Sequence, residues 1–508
     1  MVQYQRIGHY LDRSIRAYPY CSAVVVGLFL GGGLLFSVGW WTSLVGVIGF
    51  VHLVSTMSRR CHVGGVGVVV WTISAAMSLS WFWSTYPLDW LSIPAGPVQV
   101  VFIGVYWLTS ALWLGLAGGV CALALYYLLQ TNRSIVLGGV PVVWVGSEVV
   151  GSWIFTLFTY GPGGVWSPYF SFSYVGYALA EHTLFFHIAA WAGVYGLSFT
   201  MVAGGVAVWC AVRAQWSLRV ISGVVVVTVA TGYTSVDRWF IAESPPSLRV
   251  AVVETYFDAA FRSQPDHSSR QGEAVVSGVR WAHTFSPDYI LLPEDTGFLH
   301  SYQSSGAATL ALRQLFGTSS VQLIDSGQIE WNGTKVVRGY VYDNATMQID
   351  HADKQYLTPQ GEYIPVAHAT VARWFGYGDV MAGLSENIRY VPGPSRSQAD
   401  FSAATPAILF CFASASPWGV RSIVSERTPT APFVAHPLSH AWFNTPYLFW
   451  HQLDTMLRVQ ARWNQVPIVS AGNMAPSKLY TASGAMIEVT PQQPPIESPW
   501  WNVRVFDL

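Results

Sequence analysis

Charge is scarce in this chain. Only 10% of its 508 residues are Asp, Glu, Lys or Arg, against 52% hydrophobic, and the formal net charge is −1. Such a chain lacks the basic footprint of a nucleic-acid partner. Cysteine is scarce too: Cys21, Cys61, Cys121, Cys210 and Cys411 are all there are. The first four lie in or beside long apolar stretches, so Cys411 has no disulfide partner in the polar half of the chain. Lysine is scarcest. Lys335, Lys354 and Lys478 are the three lysines among 26 basic residues. A lysine kept in so arginine-rich a chain offers a compact ammonium that a guanidinium does not replace.

The few charges are unevenly placed. Residues 1–247 hold nine Lys/Arg and six Asp/Glu, and the remaining residues hold the other 38 of 53. A boundary near Ser244-Pro245-Pro246 therefore separates a membrane half from a water-soluble half. A spanning helix needs about 20 mostly apolar residues. Residues 21–38, 40–57, 64–82, 98–128, 134–158, 185–211 and 217–235 meet that need, and the long fourth stretch reads as one tilted helix. Arginines 6, 13, 16, 59, 60, 133, 213 and 219 fall on one side of the seven spans; loops 83–97 and 159–184 have no Lys or Arg, and Arg238 alone flanks a span on the other side. The positive-inside rule puts the N-terminus in the cytoplasm and residues 240–508 outside it. The basic N-terminal region is followed by further spans and no small-residue cleavage site, so it reads as a retained span.

Two features of the membrane half carry alternatives. Glu148 lies within span five, where a carboxyl is either functional or paired with a neighbouring helix. The outer loop 159–184, running Thr159-Tyr160-Gly161-Pro162-Gly163-Gly164-Val165-Trp166 to Gly176-Tyr177, is rich in aromatics. It reads as an interfacial anchor or as the lining of a lipid path to the outer domain, with Trp166 and Tyr177 as candidate substrate contacts.

From Leu248 short β-type runs alternate with amphipathic stretches, as in an α/β layered domain. Leu248–Val253 and Tyr289–Glu294 read as strands, 268–284 as a helix, and 320–350 as hairpin strands. Pro406–Ala413 reads as a strand ending at Cys411, 446–463 as a helix, and 466–471 and 484–489 as strands. Glu294, Lys354 and Cys411 stand at or just after strand ends. Each has an ordinary reading: a turn cap, a solvated lysine, and a small core thiol. Together they would supply a base, an oxyanion-stabilising ammonium and a nucleophile.

This Glu–Lys–Cys order and spacing resembles the nitrilase (carbon–nitrogen hydrolase) superfamily. With the preceding spans, the chain resembles the apolipoprotein N-acyltransferase family over nearly its full length. The resembling stretches include Gly193–Phe199, Asp288–Glu294, Asp343-Asn344-Ala345, Asp353–Pro365 with Gly361-Glu362-Tyr363, Ser439–Phe443 and Ala471–Ser477. The resemblance implies an α-β-β-α sandwich beside about seven transmembrane helices. It implies Glu294 as general base, Lys354 as oxyanion group, Cys411 as nucleophile and Glu362 as a second carboxylate orienting the lysine. Asn344, Trp442 and Phe443 would be substrate contacts. The implied reaction is ping-pong: Cys411 takes an acyl chain from a phospholipid and passes it to the α-amino group of a diacylglyceryl-cysteine on a lipoprotein. No cofactor or metal is implied. The implied place is the bacterial cytoplasmic (inner) membrane, with the catalytic domain extracytoplasmic.

Four departures accompany the resemblance. Phe412-Ala413 follows the cysteine where the family has Tyr-Glu. The outer loop is glycine-rich where the family has Gly-Phe-Pro-Trp. The family's Arg-Ala…Glu helix is blurred at Gln460-Ala461-Arg462-Trp463. The family's eighth span has no counterpart after Pro491-Gln492-Gln493-Pro494-Pro495. The expected organisation is a transmembrane domain over 1–240, a catalytic domain over 247–492 and a tail over 493–508. Competing readings are a membrane-tethered amidase and a non-catalytic scaffold.

Overall fold

The computed structural model describes residues 13–36, 39–88, 95–214 and 248–508, the last with short gaps at 262–263, 301, 303–304, 375, 380–381, 384–389, 396, 428–429, 445 and 495–497. The expected seventh span, 217–235, lies outside the described residues.

Six helices occupy the other expected spans: α1 (Pro19–Gly32), α2 (Trp40–Thr56), α3 (Arg60–Ser78), α4 (Pro97–Leu128), α5 (Arg133–Phe158) and α6 (Ala189–Ala214). The last four are long and apolar enough to cross a membrane; α1 and α2 are shorter apolar helices. The long fourth stretch is one continuous helix of 32 residues. Helix packing in lipid rests on close backbone approach, because lipid tails are as apolar as leucine. The α3–α4 contact shows this. A methyl group on Gly67 would lie 2.2 Å from the Gly118 carbonyl oxygen, so no side chain fits there. Helix α6 breaks at Ala192 and Gly193, whose backbone is non-helical.

Glu148 of α5 accepts hydrogen bonds from Trp144 Nε1 (3.3 Å) and from the Val175 amide (2.8 Å). It thus ties the outer loop to α5. That loop is mostly buried, with Phe170, Phe172 and Tyr174–Ala180 among the packed residues. Ser171 Oγ donates to the Ala415 carbonyl 2.9 Å away, joining the loop to the polar half.

The polar half is an α/β sandwich. One half-sheet joins β1 (Arg249–Thr255) to β11 (Trp501–Asp507) on one side. On the other side run β2 (Tyr289–Leu291), β3 (Gln322–Trp331), β4 (Thr334–Asp343) and β5 (Gln348–Asp353). The other half-sheet holds β6 (Ala407–Ile408), β7 (Val434–Ser439), β8 (Ile468–Asn473), β9 (Lys478–Tyr480) and β10 (Met486–Ile487). Among the described residues the strands of the two halves pair where Thr255 meets Asn473. Alternation of side chains across each strand creates the layers. Val250, Val252, Leu291 and Ile324 of one half face Ile408, Ala435, Val469 and Ala471 of the other. The opposite faces carry helices. Ala251, Val253 and Ile290 pack under α7 (His267–His283) and α8 (Ser305–Phe316). Ala407, Val434 and Ile468 pack under α9 (Tyr447–Asn464). The order helix, sheet, sheet, helix is the one the family resemblance implies.

Residues 501–507, expected in a tail beyond the domain, are a strand of it. Seven residues of β11 pair antiparallel with β1, and Arg504 Nε lies 2.9 Å from Glu254. Trp501, Val503 and Val505 alternate onto the face that α7 covers, and Phe506 points the other way, into the core between the half-sheets. The strand β6 is also shorter than expected: it stops at Ile408, and Cys411 opens a tight turn over Cys411–Ala415.

Candidate active site

Strand direction brings the candidate residues together. β1, β2 and β3 are parallel; β4 reverses and β5 reverses again, so β5 runs with β3. In the other half-sheet β6, β7 and β8 are parallel, and β8 runs with β1. The carboxyl ends of β2, β5, β6 and β7 therefore share one edge, and Glu294, Lys354, Cys411 and Ser439–His440 follow them. Ligand sites of α/β folds form at such edges, where loops leave the sheet.

Lys354 is 1% exposed. Its Nζ lies 2.9 Å from Glu294 Oε1 and 2.9 Å from Glu362 Oε1. The second Glu362 oxygen accepts the Thr358 amide at 2.7 Å, so the turn 358–362 holds that carboxylate in place. Two carboxylates around one buried ammonium satisfy it on two sides, which a buried charge requires. Burial pulls the lysine pKa down, but the charges of Glu294 and Glu362 outweigh it, and the group stays above its ordinary value.

Glu294 and Cys411 are pushed the other way. Burial raises the Glu294 pKa to about 7, against the lowering effect of Lys354. Burial raises the Cys411 thiol to about 12; the Glu294 charge adds to the rise, while Lys354 and the Ser439 amide oppose it. The resting thiol is therefore neutral, with a carboxyl poised near neutrality beside it. That is the arrangement of a nucleophile that loses its proton to a base as it attacks.

All four groups line one cavity of about 310 Å³. Its polar end also holds Asp295, Gln328, Gln360 and Tyr390. Its apolar wall comes from both halves of the chain: Phe102, Ile103 and Tyr106 of α4, Phe155 of α5, Phe170 and Phe172 of the outer loop, and Trp442, Phe443 and Phe449. His440 lines it too. Its Nδ1 accepts the Trp450 indole N–H at 2.9 Å, which leaves the proton of the neutral ring on Nε2. Burial lowers its pKa to about 3, and that of His436 to about 4.

Trp442 and Phe443 thus stand in the cavity, and three other expected contacts do not. Asn344 follows β4, the reversed strand, and so lies at the opposite edge of the sheet. There its Nδ2 donates to the Ser319 carbonyl at 2.7 Å, and the Tyr342 hydroxyl donates to its Oδ1 at 3.1 Å. Trp166 is 58% exposed and borders a separate cavity with Asp353, Tyr356 and Phe410. Tyr177 is buried, its hydroxyl 3.0 Å from Ser171 Oγ. The helix residues Phe102, Ile103, Tyr106 and Phe155 were not foreseeable. In a span an apolar residue facing lipid and one facing a cavity look alike.

An apolipoprotein N-acyltransferase of Geobacter metallireducens is 23% identical over 368 residues, 69% of this chain and 65% of the relative. One of Thermosynechococcus vestitus is 24% identical over 407 residues, covering 74% of this chain and 69% of that one. This chain is a sequence relative of the apolipoprotein N-acyltransferases. A third relative, from Gloeobacter violaceus, is matched over 60% of its length, so the chain spans roughly two thirds of these proteins and slightly less in two of the three. No protein-family model matches. Among solved structures, a CN-hydrolase superfamily protein of Xanthomonas campestris is 15% identical. That likeness covers 52% of this chain and 91% of that one, at a TM-score of 0.35.

Proposed function

We propose that the chain is a membrane N-acyltransferase acting on lipoproteins. The observation that carries this reading is the position of the Cys411–Glu294–Lys354–Glu362 cluster. It sits at the polar end of a cavity whose apolar wall is built partly by membrane helices. A soluble amide has no need of such a wall; an acyl chain does.

In the first half-reaction Glu294 takes the Cys411 proton as Sγ attacks the ester carbonyl of a phospholipid. The carbonyl oxygen becomes an oxyanion, and Lys354 donates a hydrogen bond to it. Collapse breaks the ester C–O bond; the lysophospholipid alkoxide leaves with the proton from Glu294, and a thioester remains on Cys411. In the second half-reaction the α-amino nitrogen of a diacylglyceryl-cysteine attacks the thioester. Glu294 takes a proton from the nitrogen, the C–S bond breaks, and the thiolate is reprotonated. Glu362 holds the Lys354 ammonium in place through both steps. Water exclusion protects the thioester from hydrolysis. The arginine pattern of the loops supports placing the domain that starts near residue 247 on the extracytoplasmic face of the inner membrane.

The test is chemical. Purified protein given a phospholipid labelled in its acyl chain accumulates a hydroxylamine-labile adduct, absent in Cys411→Ala. A diacylated lipopeptide then discharges it as an amide. No adduct, or discharge to free fatty acid alone, refutes the reading.

A further inference from the structure

Thr159 of the glycine-rich outer loop holds two tyrosines that lead to the reactive cluster. Its carbonyl accepts the Tyr363 hydroxyl at 2.8 Å, and its own hydroxyl lies 2.8 Å from that of Tyr169. Each tyrosine leads to a different part of the cluster. Tyr363 directly follows Glu362. Tyr169 packs edge-on against Phe412, 5.7 Å between ring centres, and Phe412 directly follows Cys411. Tyr169 also meets Tyr356, two residues beyond Lys354, at 6.0 Å.

The glycines make the first of these contacts feasible. A methyl group on Gly163 would stand 2.8 Å from both Cβ and Cγ of Tyr363. One on Gly161 would stand 3.0 Å from the Ile364 carbonyl oxygen. The Gly163 methyl group would require Tyr363 to move, and the Gly161 one would be tight against the carbonyl. The contact is fastened at its far side, where the Val366 amide donates to the Tyr160 carbonyl at 2.8 Å. Tyr363 is buried, and its own turn is closed by the Gln360 amide donating to the Tyr363 carbonyl at 2.7 Å. A shift of Tyr363 therefore moves the turn that presents Glu362 to Lys354.

We propose that the outer loop is a clamp: Gly163 and Tyr363 are positioning residues that set the Glu362–Lys354 pair, and Tyr169 sets the Cys411 turn through Phe412. This gives the loop a task distinct from admitting lipid. It also accounts for the Phe at 412, whose ring is the surface that Tyr169 packs on. The acyltransferase reading is needed only for the kinetic half of the test below.

The experiment compares Gly163→Ala and Tyr363→Phe with Gly138→Ala, a position where an added methyl group meets nothing within 4 Å. The background is Cys21→Ser/Cys61→Ser, because those two thiols are exposed. The first readout is the pH profile of Cys411 alkylation by iodoacetamide, which is independent of any substrate. The clamp predicts that both variants shift the profile to higher pH, because a displaced Lys354 stabilises the thiolate less, and that Gly138→Ala does not. The second readout is acyl transfer. The clamp predicts a fall in kcat of about tenfold or more, the scale of a small misplacement of reacting groups, with little change in KM for phospholipid. If Gly163→Ala does not accumulate as folded protein, Tyr363→Phe carries the test, since it keeps the ring and removes only the hydroxyl. An unchanged alkylation profile with a raised KM would make the loop a lipid path only and overturn the clamp. A shifted profile in a protein without transferase activity would keep the clamp and reject the acyltransferase reading.

Discussion

Lys354 and Glu294 form a buried ion pair, 2.9 Å between Nζ and Oε1, across 60 residues of sequence. Each side chain follows the carboxyl end of its own strand, and Glu362 is the second carboxylate on the same ammonium, 2.9 Å from Nζ. In the proposed mechanism the pair serves stability and chemistry at once, so its variants separate the two.

Removing the ammonium leaves two carboxylates facing each other in a site shielded from water. Breaking a buried pair from one side costs about 3–5 kcal/mol. Lys354→Met is expected to lower the melting temperature in detergent and to abolish adduct formation. The further change Glu294→Gln in that background is expected to recover part of the stability and none of the activity. Lys354→Arg is not expected to restore function, because the planar guanidinium does not fit a point-charge site.

The pH dependence of the first half-reaction follows from Glu294. Only its ionised form accepts the thiol proton. With its pKa raised to about 7 by burial, the rate of adduct formation is expected to rise with pH and level off above neutrality. The thiol, held near 12, contributes no second limb below pH 9. Stopped assays from pH 5 to 9 check this; a rate flat across that range would remove Glu294 from the base role.

Acid stability is governed in part by His436 and His440. Burial holds both folded-state pKa values, about 4 and about 3, below the ordinary 6.5. The unfolded chain therefore binds more protons than the folded one between those values. The stability they contribute is complete above pH 6.5 and is lost as pH falls toward 4. Melting temperatures at pH 7.5 and 5 are expected to differ, and the difference is expected to shrink in His440→Gln.

Deleting residues 500–508 is expected to unfold the polar half and not merely to trim it. The deletion exposes β1 along seven paired residues, removes buried Trp501, Val503 and Phe506, and leaves Glu254 without Arg504. Limited proteolysis of the purified variant is the measure, with cleavage spreading through 248–499 as the expected outcome.

The sequence revealed much of this protein because two of its signals are local. Runs of apolar residues mark the helices over 19–56, 60–78, 97–158 and 189–214, since a membrane imposes length and composition on each segment separately. Alternation of strand-like and amphipathic runs marks the layered domain in the same way. The order Glu294, Lys354, Cys411 is also legible, because Glu294 and Cys411 follow apolar runs and Lys354 follows the hairpin strands. Asn344 does too, and sequence alone does not say that its strand runs backward. Strand direction, which separates Asn344 from Lys354, is decided by pairing between distant segments. So is the place of Trp501–Asp507, whose partner lies some 250 residues away. The cavity wall and the contact of Gly163 with Tyr363 belong to the same class. They exist because helices and sheet meet at one edge, and close packing across that edge leaves no trace in the local pattern of either partner.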